Sequence, residues 1–413
     1  MAHSRRPLFI ALATLVAALP AASAPPSPPV QVWIDVATHD MAGMPDLGGL
    51  GGLAGRMMGN QGPQTYPEAR NIPASTGKLL DIAMLNGLRP GVEAEQLVPN
   101  GLGVGKSLPL LPSPSAPRKD EASSPAQSGD VEVTIRQYWG CGATVRPGQP
   151  KVMTMRMKKG AMEMSGSVAP GMFVPDGDIN PNPSYALWPN RKNNKRVSDR
   201  SSMVGQHQIT GDGVPASLKF ELGQSADFMP KIALQTRGEL AESIALSWRP
   251  VDRSRAYFIN AMGMQDESNL VLWSSSEVAG AGHELLNYLT GSHIDKWLQQ
   301  KVLLSPAATS CTIPQGIFKS TGAGNPGGGM AMLSMIAYGP ETNIAWPPKP
   351  ADAKQPWKPE WSVRVRSKST STAMLGMDLS GMDVDSSASD GEKQPQEEES
   401  QGKKILKGLL RNF

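Results

Sequence analysis

Between residues 131 and 367, apolar and polar positions alternate in short runs: VEVTIRQYW, KVMTMRMK, ASLKFELG, ESIALSW, AYFINAMG, NLVLWSSS, MLSMIAYG and WSVRVRS. Each run is bounded by Gly, Pro, Asn, Asp or Ser. A period of two sends alternate side chains to opposite faces, so each run predicts a half-buried strand between turns. Upstream, VQVWIDVAT and KLLDIAML read the same way, with shorter extended pieces at 95–97 and 108–111. One segment departs from this pattern, GHELLNYLTGSHIDKWLQQKVLLSP. There Leu285, Leu286 and Leu289, then Ile294, Trp297 and Leu298, recur at helical spacing around Gly291. That spacing predicts two short helices, or one kinked helix, against a sheet edge. The expected fold is mainly β: an antiparallel β-sandwich, as one domain or two packed modules, with one short helical insertion and disordered tails.

The pair SIALSWRPVDRSRAYFINAM resembles the second and third strands of fibronectin type III domains, with Trp248 in the core and Pro250 opening the turn. The resemblance covers about twenty residues, implies an immunoglobulin-like fold and carries no function. Composition shifts divide the chain further. Residues 25–112 form an N-terminal extended segment containing a Gly/Met-rich loop, 113–130 a Pro/Ser linker, and 131–240 and 241–367 two β modules. Residues 368–413 turn serine-rich and acidic and are expected to be disordered, ending in a basic amphipathic helix.

The start of the chain adds a destination. Arg5 and Arg6 precede an apolar run and then Ala21, Ala22, Ser23 and Ala24, the layout of a secretory signal peptide over 1–24. Pro25 disfavours a cut after Ala24, so cleavage after Ala22 or Ser23 fits as well, and SRRPLFI partly matches a twin-arginine export signal. The expected location is periplasmic or extracellular. Without Arg5 and Arg6 the net charge is only about +1, which gives no global field for nucleic acid. Glycine (43) and proline (37) are abundant, which favours turns over long helices.

Export also frames the two cysteines. Cys141, in YWGCGATV, and Cys311, in ATSCTIPQG, are most simply one disulfide in an oxidising compartment, with Gly140 and Gly142 giving the backbone room. The other motifs are incomplete. GVGKS lacks the first glycine of a phosphate loop and runs into prolines rather than a helix. Asp176, Asp178, Asn180 and Asn182 alternate like half a calcium loop, but Pro181 and Leu187 stand where glycine and glutamate are needed. No G-x-S-x-G elbow nominates a serine, and no catalytic residue is assigned; His207 and His283 are the bases a hydrolase would use.

Methionine is the remaining chemistry. His39, Met41 and Met44 lie close together, and Met153, Met155 and Met157 alternate. Soft thioethers select Cu(I), and the spaced methionines beside His39 resemble metal-binding stretches of bacterial periplasmic copper-resistance proteins. The alternating set reads equally as flexible core filling on one strand face. At the C-terminus, GKKILKGLLRNF places Ile405, Leu409 and Phe413 on one helical face with Lys403 and Lys404 elsewhere, suited to an anionic membrane surface or a partner. The reading is therefore an exported envelope protein that binds or builds without catalysis and needs no cofactor, with an unidentified envelope component as partner. Its alternatives are a methionine-rich Cu(I) binder and a hydrolase of sugars or esters.

Overall fold

A computed structural model describes residues 27–43, 65–70, 76–113, 131–158, 161–174, 177–321, 330–352 and 354–376. The signal segment, residues 114–130 of the linker, Met44, Asp176 and the C-terminal residues Lys403, Lys404, Ile405, Leu409 and Phe413 lie outside these.

In chain order the strands are β1 (Val30–Met41), β2 (Gly77–Asn86), β3 (Ala94–Leu97), β4 (Ser107–Pro112), β5 (Val131–Trp139) and β6 (Lys151–Lys158). They continue with β7 (Ala161–Gly166), β8 (Tyr185–Trp188), β9 (Gly205–Gly211), β10 (Lys219–Leu222), β11 (Gln235–Arg237) and β12 (Ile244–Ser247). After β13 (Ala256–Asp266) and β14 (Asn269–Ser274) comes helix α1 (Gly291–Gln299), then β15 (Ser310–Ile313), β16 (Met330–Trp346) and β17 (Trp361–Leu375). Fourteen strands join in one sheet, ordered β10, β9, β3, β4, β8, β2, β1, β17, β16, β13, β14, β5, β6, β7; β11, β12 and β15 form a second, small sheet.

The protein is mainly β, but a simple antiparallel sandwich is not what forms. Alternation fixes a strand and its two faces, yet it leaves partner and direction open. Here β1 runs parallel to β17, with Val30 opposite Trp361 and Met41 opposite Thr372, and β14 runs parallel to β5. These two pairings produce one mixed sheet and put the N-terminal strand near its centre. Sandwich-like packing survives locally, where Leu246, Trp248 and Ile313 of the small-sheet region meet Tyr257, Trp273 and Leu333 of the large one. The fibronectin-like pair behaves accordingly: β12 and β13 belong to different sheets, and buried Trp248 meets Tyr257 edge-on at 5.6 Å. At the other end the sheet curls so that Val32 and Ile34 share a core with Leu108, Ile209 and Phe220.

The two short helices form, as a 3-10 helix over His283–Leu286 and then α1, and Gly291 opens α1 because Thr290 caps it: its Oγ1 accepts the His293 N–H. Two features differ from the sequence expectation. The helical segment packs on a sheet face rather than an edge, with Leu285, Ile294 and Trp297 against Phe258, Ile336 and Tyr338. Strand β17 continues past Ser367 to Leu375, through residues assigned from the sequence to a disordered tail. Those residues are polar, yet Lys368 to Thr372 are buried, so their pattern lacked the apolar signal that marks a strand.

Cys141, just beyond β5, and Cys311 in β15 form a disulfide with Cα atoms 5.2 Å apart, tying the large sheet to the small one. Gly140 reaches the bridge at φ +91°, where an added Cβ would lie 2.7 Å from the Arg146 guanidinium carbon. Next to it, the Gly142 N–H donates to Thr312 O at 2.8 Å.

Candidate functional site

Strand register places two unusual regions on one face of the large sheet. Asp35 of β1 stands opposite Arg366 of β17 and Asp81 of β2, Ala37 opposite Lys368, and His39 opposite Thr370. Followed across β16, the same face presents Tyr338 and Ile336, and then Met332 opposite both Met374 and Met262. The face starts ionic and ends in methionine.

The ionic part is buried. Arg366 grips Asp35 with both arms of its guanidinium, Nε donating to Oδ1 at 2.8 Å and Nη2 to Oδ2 at 2.6 Å, while Nη2 also donates to Asp178 Oδ1 at 2.5 Å. Arg70 adds a second cation, its Nε 3.6 Å from Asp35 and 3.7 Å from Asp178. Its other nitrogens donate to Ile179 O and to the Tyr66 hydroxyl. Two carboxylates thus face two guanidiniums, and the planar fork of arginine supplies the bidentate fit. Tyr288 lies over this layer, with the Arg366 guanidinium 4.4 Å and Lys368 Nζ 4.6 Å from its ring centroid, and its hydroxyl donates to Val36 O.

Burial sets the protonation of the surrounding groups. For Asp178, burial alone would raise the carboxyl, but Arg366 and Arg70 outweigh it and hold it below the usual range. Burial likewise opposes the charge on Arg366, and Asp35 and Asp178 more than compensate, raising it further. Burial brings Lys368 down to about 7, against the pull of Asp35 and Asp178. Asp81 accepts the backbone N–H groups of Glu68 and Ala69 at 2.8 to 2.9 Å, contacts that favour a carboxylate; burial outweighs them and pushes it up to about 8. Burial raises Glu68 to about 7. The central charges balance while the outer groups move toward neutrality, the pattern of an internal clamp. It holds the 65–70 and 177–179 segments and Tyr288 on the sheet. Among the described residues, the free space beside Tyr288 and Arg366 is about 10 Å³, and that between Glu68, Lys78 and Arg196 about 30 Å³. Such volumes hold water rather than an organic ligand.

The methionine part is open. Beyond Met262 and Met264, the face passes over Leu270 and Ile135 to Met153, then to a row with Met155 opposite Met164 and a row with Met157 opposite Met162. Val168 packs against this face near Met153 and Met155. Farther out, Met162 is 59 % and Met164 66 % exposed. On the reverse side of the ribbon Glu132, Arg156 and Glu163 stand in one row, and Arg156 binds Glu132 at 2.6 to 2.8 Å. That charged row identifies the reverse side as the ordinary solvated one.

The residues nominated from the sequence fall in several places. His39 and Met41 share the ionic face; His39 is buried, and its Nδ1 is 2.9 Å from Thr370 Oγ1. Asp178, read as half a calcium loop, serves Arg366 and accepts the Asn287 amide instead. His207 is stacked on Phe220 between Gln96 and the Met203 carbonyl, and its sequence neighbour Asp212 pairs with Arg89. The Met153, Met155 and Met157 set does alternate onto one face, as the sequence indicates. Asp35, Arg70 and Arg366 were not nominated; the signal for Asp35 and Arg366 was charge inside β-branched strands, WIDVAT and VRVRS, whereas Arg70 lies in PEARN, outside any strand.

Comparison with protein-family models, with curated proteins and with solved structures found no match to this chain.

Proposed function

We propose that this is an exported envelope protein that acts by binding, without catalysis, through the open methionine-faced end of its sheet. The observation that carries the reading is the pair Met162 and Met164, left uncovered by the described residues at the end of an apolar face that is only partly packed nearer the centre, where Met332 is 44 % exposed. Exposed apolar side chains gathered on one face mark interaction sites more often than chance. The Cys141–Cys311 disulfide and the signal-like N-terminus support export, and no helix of the described residues is long and apolar enough to cross a membrane. Of the two bases a hydrolase would use, His207 is held between Gln96 and the Met203 carbonyl, while His283 is exposed.

The test uses the mature protein labelled with 13C at its methionine methyls and titrated with envelope extract, whole and as a low-molecular-weight filtrate. Shifts at Met162 and Met164 are expected. Silence of both methyls toward every fraction, and toward the metal probe described below, overturns the reading. Free thiols at Cys141 and Cys311 by non-reducing mass analysis of the exported protein would remove its export component.

A further inference from the structure

We infer that Met155, Met157, Met162 and Met164 form a site for a soft monovalent cation, Cu(I) or Ag(I), on the β6–β7 ribbon. The inference rests on the reading of this sheet end as a binding surface and names its ligand.

Three observations lead to it. First, register sets Met155 directly opposite Met164 and Met157 directly opposite Met162, two consecutive rows on the same face. Directly opposed Cβ atoms in an antiparallel pair are about 5 Å apart, and consecutive rows are separated by roughly 7 Å. A methionine sulfur sits two bonds beyond Cβ on a flexible arm, so three or four thioethers can converge on one ion without moving the backbone.

Second, residue choice changes abruptly between neighbouring strands. On this face β5 carries Val133 and Ile135, the β-branched residues that strands favour. Its neighbour β6 carries Met153, Met155 and Met157, and β7 carries Met162 and Met164. An apolar docking face would be served equally by valine or isoleucine. What methionine adds is sulfur, a neutral soft donor that selects Cu(I) over hard cations.

Third, the thiols and the one histidine nominated as a metal ligand are already occupied. Both cysteines are consumed by the disulfide, and His39 is buried against Thr370. Thioethers also suit an oxidising compartment, since they cannot be lost to disulfide formation. The charged row Glu132, Arg156 and Glu163 lies on the reverse face, so the ion would meet sulfur rather than ammonium or guanidinium.

Two consequences separate this site from alternatives. Thioethers do not titrate, so binding should be the same at pH 5 as at pH 7, whereas a histidine site weakens as its imidazole protonates. Met→Leu keeps the apolar surface and removes sulfur, so it abolishes metal binding while sparing a purely hydrophobic contact.

The experiment titrates the full mature chain, 13C-labelled at methionine methyls, with Ag(I), and repeats it with Cu(I) under ascorbate against a chromogenic chelator. Expected are shifts of the Met155, Met157, Met162 and Met164 methyls, sulfur scatterers at the copper K-edge, and loss of this bound equivalent in the M155L/M157L/M162L/M164L variant at both pH values. The urea midpoint of the quadruple variant serves as the folding control and should match that of the wild type. Shifts confined to other methionines, no binding, or undiminished binding in the quadruple variant would overturn the site. If those four methyls answer to an envelope fraction but not to the metals, the metal inference fails and the binding reading stands.

Discussion

The centre and the far end of one sheet face invert the usual rule for burial. At the centre, Asp35, Arg366 and Lys368 are charged or ionisable and almost wholly buried; at the end, Met162 and Met164 are apolar and more than half exposed. Each departure needs its own reason. Asp35 and Arg366 satisfy each other through the two-armed grip of the guanidinium and their work is internal, although Arg364 beside them keeps Nε and Nη2 buried without a hydrogen-bond partner. The exposed methionines have neither cover nor a polar role among the described residues, so their work is directed outward. Unusual chemistry alone therefore does not mark the functional site; chemistry left unspent by the fold does.

The largest way to break this contrast is at the centre. Arg366→Met strands Asp35 beside a lone Arg70, and should lower unfolding free energy by about 3–5 kcal/mol. Adding Asp35→Leu leaves Asp178 and Arg70 as a balanced pair, so urea denaturation should find the double variant more stable than the single one. If Arg366→Met is neutral, the network is not a clamp.

A smaller effect lies in pH. Burial first and Lys368 second hold His39 down at about 4 from an ordinary 6.5, so the unfolded chain takes up a proton between those values that the folded chain refuses. The stability this gives is present above pH 6.5 and is lost as pH falls toward 4, the loss amounting to about 2.5 kcal/mol by pH 4.5. Because Glu68 and Asp81 titrate in the opposite sense, the test is the difference between wild type and His39→Gln. The variant should lose less stability on acidification, and parallel curves would show that His39 is not the acid-sensitive group.

The smallest effect is at the open end. Replacing Met162 and Met164 by leucine should change stability by less than about 0.5 kcal/mol. Peroxide should oxidise these two methionines before buried Met84, Met203 and Met335, read by peptide mass mapping. Equal rates would mean that the end is covered in solution.

Much of this contrast was legible in the sequence only as fragments. The alternating runs that became β5, β6, β13, β14 and β16 were readable because one face of each is apolar at every second position. AMEMSG, which became β7, was not read as a strand: both its faces are exposed, so no burial pattern was imposed on it. The end of β17 was missed for the converse reason, since its buried face carries Lys368, Thr370 and Thr372. Register could not be read at all across such distances. Asp35 and Arg366 are 331 residues apart, and only the parallel pairing of β1 with β17 brings them together. The alternation of Met153, Met155 and Met157 was visible, but their status as filler or surface depended on whether anything lay above them.

That same parallel pairing has a consequence for how the chain acquires its structure. β1 is the first described strand and β17 the last, and they are neighbours in the middle of the sheet. Until the last strand has been synthesised, β1 lacks its partner on one side, the charges on Asp35 have no arginine from β17, and the two halves of the sheet are not joined. Contacts of such long sequence separation form slowly and late. A ribosome-bound chain therefore stays short of its native core until β17 has emerged.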